Sequence, residues 1–261
     1  MLKVRLLGSG SGGNCTLVSS GDCHILIDCG LNARRISHGL REAGIRPDHL
    51  SGILISHEHR DHIAGLPVFL KSAPVPVFLS PGTAAGTALN GTEAPAEHFQ
   101  VGQAFGIGPL EVIPFAVSHD AVDPCGFIIR CRGVQLAHVT DLGCMTELVR
   151  QRIRQSHCLV IESNHDEEML KIGPYPWPLK QRVLSRVGHL SNRDLGRFLA
   201  QDFDGAAATI VLAHLSRKNN HPEIARQNVR DALAERASAR ADAFEIIVAD
   251  QDRPTPLITI D

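Results

Sequence analysis

The sequence predicts an α/β fold, and two observations carry that prediction. Short apolar runs that read as buried strands alternate with stripes of helical period. Polar side chains then recur where those runs end, at 57–62, 119, 141, 162–165 and 214. In open α/β sheets, ligands gather at such strand ends along one edge.

Residues 2–7 read as the first strand, followed by Gly8-Ser9-Gly10-Ser11-Gly12-Gly13-Asn14. No Gly-Lys-Ser/Thr follows, and CTLVSS looks like strand, so this is neither a Walker loop nor a dinucleotide fingerprint. It reads as a tight hairpin turn, or as a rim whose backbone N–H groups approach an anionic substrate. Residues 15–19 and 23–28 make a strand pair ending at Asp28, which is expected to anchor a loop by hydrogen bonds and not to act as a ligand. Leu31, Ile36, Leu40 and Ala43 give a helical stripe over 31–43, stopped by Gly44. A central strand over 51–56 precedes a helix over 62–71, where Pro67 implies a late start or a kink.

Residues 75–79 read as a strand and 81–97 as a Pro/Gly-rich stretch with a short helix at 82–89. Strands follow at 110–117, 126–131 and 134–139, then a helix over 145–155 and a buried strand at 158–162. Residues 171–182 hold the only Tyr and the only Trp among several prolines, which predicts an ordered loop and no helix. Ser191 and Asp194 resemble a capping box, and Leu190 with Leu195 fits a hydrophobic staple, so His189 is expected just outside a helix N-terminus. A core strand at 209–213 ends in His214, a helix runs over 222–239 behind Pro222, and 244–249 gives a closing strand.

Composition narrows the function. The net charge of −2 provides no global basic field, so any nucleic-acid contact must rest on a local patch. No stretch approaches the ~20 apolar residues of a membrane span, and the N-terminus has no long apolar region. Seven cysteines without a CxxC read as buried free thiols of a reducing compartment. The expectation is a cytoplasmic protein with no membrane partner. Nothing in the sequence specifies an oligomer.

The chemistry starts at His57-Glu58-His59-Arg60-Asp61-His62. Alternate side chains of an extended segment point the same way, so His57 and His59 can grip one metal ion. Asp61 and His62 follow where the chain can turn into a helix, which aims them at a second ion nearby.

The order His57-x-His59-x-Asp61-His62, then His119, Asp141 and His214, resembles the metallo-β-lactamase superfamily across almost the whole chain. That resemblance implies a four-layer αββα sandwich, spanning 1–261 as a single hydrolase domain with two divalent metal ions at one edge of its β-core. His57, His59 and His119 would hold one ion, Asp61, His62 and His214 the other, and Asp141 would bridge them. Asp61 would thereby also serve catalysis. Imidazoles with one or two carboxylates suit zinc, the expected metal, with manganese the alternative.

The lactamases have cysteine where this chain has Asp141, which disfavours β-lactam hydrolysis. Glu162 and His189 look like the paired acid and histidine of tRNA 3′-processing endonucleases and related phosphodiesterases. The stretches 7–14, 162–166, 175–182, 188–192 and 214–216 together resemble the YycJ/WalJ family. That resemblance implies a DNA-directed phosphodiesterase with 5′-exonuclease character, in which a metal-bound hydroxide attacks phosphorus and His189, oriented by Glu162, protonates the leaving oxygen. His165 either contacts the scissile phosphate or supports those that do.

Ser11, Lys180, Arg182, Asn192 and Ser216 are the expected substrate contacts, with Arg186, Arg217 and Lys218 available to phosphates or simply solvated. Tyr175 and Trp177 either stack a base or pack down on the body. The competing readings are a small cyclic-phosphate phosphodiesterase, a thioesterase, and a non-catalytic metal-binding regulator linked to cell-wall signalling. The Glu162/His189 pair argues against the thioesterase, and the complete ligand set against the regulator.

Overall fold

Period-two alternation of apolar side chains decides the layering. The computed structural model describes residues 1–87, 93–236 and 244–261. One sheet contains β1 (Leu2–Gly8), β2 (Cys15–Ser20), β3 (Cys23–Ile27), β4 (Gly52–Leu54), β5 (Val77–Leu79), β6 (Ala96–His98) and β14 (Ile258–Ile260). The other contains β7 (Phe105–Ile107), β8 (Leu110–Ala116), β9 (Cys125–Cys131), β10 (Val134–Val139), β11 (Cys158–Glu162), β12 (Thr209–Ala213) and β13 (Glu245–Val248). The strand orders are β14-β1-β2-β3-β4-β5-β6 and β13-β12-β11-β10-β9-β8-β7.

In β2 and β3 the register Leu17↔Leu26 and Val18↔Ile25 puts one pair on each face. Val18, Ile25 and Leu54 point inward and meet Val112, Phe127, Leu136 and Val211 of the opposite sheet in a central core. Leu17, Leu26 and Ile53 point outward, under α1 (Ala33–Glu42) and α3 (Leu66–Ser72). On the far side Val139, Leu159 and Leu212 lie under α5 (Glu147–Ile153), α8 (Asn192–Gln201) and α9 (Pro222–Ala234). The result is the four-layer αββα sandwich. Each fully buried Leu, Ile or Val contributes about 1.5–3 kcal/mol.

Strand direction sets the location of the site. β10, β11, β12 and β13 run parallel. β8 lies two antiparallel steps from β10 and so runs the same way. In the first sheet β3, β4, β5 and β6 are parallel. The residues that follow β4, β8, β10, β11 and β12 therefore emerge together.

Several expectations need correction. The stretch 171–182 is not all loop, because α6 (Glu167–Ile172) runs into it and α7 (Trp177–Val183) begins inside it. Pro178 lies in the first turn of α7, where its missing N–H costs nothing. The helix expected over 62–71 is two helices, α2 (Arg60–Ile63) and α3, with Pro67 in the first turn of the second. The short helix near 82–89 is α4 (Pro81–Gly86), and its expected positions 88–89 lie outside the described residues, as do 237–239 of the expected last helix. The strand expected at 244–249 is β13, but it does not close the chain: β14 follows it and pairs with β1.

Among the described residues no helix is long and apolar enough to cross a membrane. All seven cysteines are free, and only Cys144 is not buried. Burial pushes the Cys29 thiol above the ordinary thiol range, so it packs as a small apolar group.

Candidate active site

β4 ends at Leu54, and the chain runs extended through His57 before turning into α2 at Arg60. His57 and His59 leave the extended part; Asp61 and His62 leave the first turn of the helix. β8, β10, β11 and β12 then deliver His119, Asp141, Glu162 and His214 to the same edge. The ligand atoms of His57, His59 and His119 lie within 4.8 Å of one another, as do those of Asp61, His62 and His214. Asp141 stands between the triads. Its carboxylate oxygens lie 3.1 Å from His62 Nε2, 3.5 Å from His214 Nε2 and 3.7 Å from His119 Nε2.

In all five imidazoles, one ring nitrogen has a protein partner while the other faces the cluster. His62 Nδ1 meets Asp28 Oδ2 at 2.8 Å, and His214 Nδ1 meets Glu162 Oε1 at 3.2 Å. His119 Nδ1 donates to the Gly188 carbonyl at 2.9 Å, and His57 Nδ1 lies 3.0 Å from Ser56 Oγ. His59 is reversed: its Nε2 donates to the Asp120 carbonyl at 3.2 Å and its Nδ1 faces inward. His57 Nε2 is buried without a hydrogen-bond partner, and buried Asp141 Oδ2 has only His62 Nε2 nearby, at 3.1 Å. Buried polar atoms without partners are costly, and a divalent cation would satisfy both. Imidazoles aligned by carboxylates and carbonyls are what a metal site requires, so the residues fit such ions.

Protonation follows these partners. Burial drives His57 well below the ordinary imidazole range and lowers His119. At His62 and His214 burial acts in the same direction, but neighbouring carboxylates, chiefly Asp141, outweigh it and raise both. Burial opposes ionisation of Asp141 as well, yet His214 and His62 hold it well below the carboxylate range.

Backbone strain marks the strand ends. Asp28, Asp141 and His214 have φ of 62°, 56° and 56°. A non-glycine residue in this region costs about 1–3 kcal/mol, so the surrounding contacts must hold it there. Ser9 Oγ accepts from the His214 N–H at 2.9 Å. The Asn14 amide reaches Asp61 Oδ2 at 3.4 Å, and its backbone N–H donates to the Asp61 carbonyl at 2.8 Å. Asp28 accepts from the N–H and hydroxyl of Ser56, the anchoring role expected of it. At Gly30 a Cβ would lie 1.6 Å from the Asp61 carbonyl oxygen, so no larger residue fits.

The glycine-rich loop is accordingly a clamp on metal-ligand candidates. Its N–H groups at Ser9, Gly10, Gly12, Gly13 and Asn14 are used within the protein, which corrects the expectation that they line a substrate rim. Sequence reasoning missed Ser9 and Asn14 as site-builders. The glycine run drew attention to the loop, but no local signal names partners 47 and 205 positions away.

Beside the triads, His189 Nδ1 lies 2.8 Å from Glu162 Oε1, and the His189 ring stacks on His214 at 5.3 Å. The Leu142 and Leu190 N–H groups donate to Glu162 Oε2 at 2.6 and 3.3 Å. Burial opposes its ionisation, but His189 holds the Glu162 carboxyl down at about 2. The same carboxylate raises His189 against the effect of burial. Ser191 accepts from the Asp194 N–H, the capping contact read from sequence, which fixes the chain just after His189.

The expected substrate contacts divide. Ser11 is exposed, Ser216 is half-buried on the loop after His214, and Arg182 is exposed at the rim, paired with Asp120. Lys180 is not available: its buried ammonium donates to the Lys171 carbonyl at 2.6 Å. Asn192 is buried too, bonded to Ser163 and Asn220. His165 lies beneath the site surface, with 1% exposure. Burial lowers its pKa to about 4, and its carbonyl accepts from the Asn192 N–H.

This sandwich with a histidine–carboxylate edge defines a metal-dependent hydrolase of the metallo-β-lactamase fold. A model of the beta-lactamase superfamily domain matches residues 24–215. The chain is 36% identical to exodeoxyribonuclease YycJ of Bacillus anthracis over 98% of each chain. It is 32% identical to exodeoxyribonuclease WalJ of Streptococcus pneumoniae over 99% of this chain and 98% of the other. The metallo-beta-lactamase fold protein YhfI from Bacillus subtilis superposes with a TM-score of 0.75 at 18% identity, covering 98% of this chain and 99% of that one. The chain belongs to the beta-lactamase superfamily and, within it, to the YycJ/WalJ family.

Proposed function

We propose that this chain is a phosphodiesterase using two divalent metal ions, zinc or manganese, and that it acts on DNA as a 5′-exonuclease. A single hydrolase domain over 1–261 in the cytoplasm fits the reading, as do the free thiols. The observation that carries it is the Glu162–His189 pair set against the donor triads. A sugar alkoxide is a poor leaving group and needs a proton, whereas a thiolate with a thiol pKa near 8.5 leaves without one. An imidazole held by a carboxylate beside the cluster therefore favours phosphodiester over thioester chemistry. The exodeoxyribonuclease names of full-length relatives support DNA as the polymer.

Bound in the triads, the metal ions would supply Lewis acidity toward the phosphoryl oxygens and an acidified water as nucleophile. Asp61, His62 and His214 would hold one ion, His57, His59 and His119 the other, and Asp141 would touch both. His189 acts as the acid. Its Nδ1–H is committed to Glu162, while its Nε2 makes no hydrogen bond among the described residues and the side chain is 21% exposed. The proton on Nε2 passes to the leaving oxygen. Glu162 Oε1 serves His189 and His214 at once, so one carboxylate aligns the acid with a metal-ligand candidate. Ser11, Arg182 and Ser216 lie where a polymer would run. His165 supports the helix start behind His189.

The test is His189→Ala on two substrates. Turnover of a 5′-labelled DNA strand should fall by about 10²-fold or more. Hydrolysis of an aryl phosphodiester, whose leaving group needs no proton, should fall far less, and metal content should stay near that of the parent. Equal losses on both substrates, or no loss, would remove His189 from the acid role.

A further inference from the structure

One part of the outer face of the first sheet is left open. Leu2, Val4 and Leu6 of β1 point into the central core, so Lys3 and Arg5 point outward. α1 crosses that outer face at the Leu7 end of β1, where a Cβ on Gly39 would lie 2.7 Å from Leu7 Cδ2. The helix ends at Glu42, and beside its end the sheet opens into a cavity of about 450 Å³. Sites for small molecules span about 300–1,000 Å³.

Sheet register fixes what lines it. Lys3 pairs with Ser19 and Ser19 with His24, so these side chains form one row across β1, β2 and β3. Arg5 and Leu17 form the next row. Leu17 and Ile45, both buried, give the cavity an apolar wall, which the exposed Met1 and Leu257 extend.

The polar row keeps donors in reserve. Arg5 lies 3.3 Å from Glu42 and donates to the Thr255 carbonyl at 3.1 Å, so it neutralises the one acid that lines the cavity. Lys3 is exposed and has no acidic partner within 4 Å among the described residues. His24 Nδ1 lies 2.9 Å from Ser19 Oγ, and its Nε2 makes no hydrogen bond among the described residues. Lys3 and His24 stand two strands apart, about 10 Å at the backbone, and the long Lys3 side chain can close on a group that His24 holds.

We propose that this cavity binds an organic phosphate monoester, with its phosphate over Ser19 between Lys3 and His24 and its apolar or aromatic body against Leu17 and Ile45. A tetrahedral dianion presents oxygens to donors on both sides at once, which a planar carboxylate does less well. Inorganic phosphate alone would leave the apolar wall in water. The phosphate chemistry rests on the cavity. The choice of a deoxynucleoside 5′-monophosphate as occupant rests on the exonuclease reading, because such an enzyme releases these nucleotides. The cavity is separate from the metal centre: Lys3 precedes Gly8 by roughly 17 Å of strand, and the next residue, Ser9, is the one that meets His214.

The test is equilibrium dialysis of metal-loaded, full-length protein against labelled thymidine 5′-monophosphate. Two molecules per chain are expected, one at the metal centre and one in this cavity. The double variant Lys3→Gln/His24→Gln should keep the parent turnover of an aryl phosphodiester and bind one of the two molecules about tenfold or more weakly. Thymidine and inorganic phosphate should each occupy the cavity at least about tenfold more weakly than the monophosphate. One molecule per chain in the parent, or two that the double variant binds as the parent does, would overturn the proposal. Thymidine or inorganic phosphate held in the cavity as tightly as the monophosphate would overturn it too. A dimer that the double variant converts to monomer would assign the face to a second copy, with the same result. A parent that cleaves no diester with zinc or manganese yet fills the cavity would sink the exonuclease reading and leave this site in place, and cleavage with the cavity empty would do the reverse.

Discussion

The two donor triads lie side by side but are built from different surroundings. Around His57, His59 and His119, the outer ring nitrogens meet a hydroxyl and two backbone carbonyls. Around Asp61, His62 and His214, a carboxylate is itself a donor and both rings rest on carboxylates, Asp28 and Glu162. The contrast shows in proton affinity, lowered at His57 and His119 and raised at His62 and His214. Fixed negative charge that favours a proton favours a cation for the same Coulombic reason. Two neighbouring sites of similar composition can thus differ in strength through residues that never touch the ion.

The sharpest way to break the comparison is to remove what the triads share. Asp141→Ala should lower metal content at both sites and cut turnover on the order of 10³-fold. Full occupancy by elemental analysis would show that Asp141 belongs to neither. Next in size is Asp28→Asn, which takes the carboxylate directly from His62 and reaches His57 only through Ser56. One of two zinc-binding steps should weaken about 10- to 100-fold against a competing chelator while the other moves far less. A parallel shift of both steps would erase the distinction between the triads. In the parent protein, mild chelation should remove first the ion held by His57, His59 and His119, the triad without charged support. Loss of both ions in a single step would contradict that order.

The smallest effect sharpens the comparison through a buried histidine with no carboxylate partner. His138 meets only the Thr16 hydroxyl, at 3.0 Å, and burial lowers its pKa to about 4. In the unfolded chain its pKa returns to about 6.5. Between those values the unfolded chain binds a proton that the folded chain refuses. Stability should therefore fall as pH drops from 6.5 toward 4, by on the order of 3 kcal/mol from this residue. His138→Gln should flatten that slope in denaturant midpoints by about one proton, and coincident slopes would show that burial does not control this residue.

Much of the fold was legible because its signals are local. Short apolar runs placed most strands of the two sheets, and Gly44, Pro67 and Pro222 marked helix boundaries. The strands β6, β7 and β14 escaped because none carries an apolar run like those around the equally short β4 and β5. The proline-rich stretch misled for another reason: Pro178 forbids a helix interior but fits a helix start.

The sequence by itself determined which donors could meet. Spacing within 57–62 paired His57 with His59 and Asp61 with His62, the resemblance to the metallo-β-lactamase superfamily added His119, Asp141 and His214, and strand direction carries all of them to one edge. Tertiary structure alone decided what surrounds them. It turned Lys180 inward, left Trp177 in solvent, gave Glu162 two histidines to hold and put Ser9 and Asn14 on metal-ligand candidates contributed by other elements. Those outcomes depend on sheet register and on which side chain wins a shared hydrogen bond, and neither is set by neighbours along the chain.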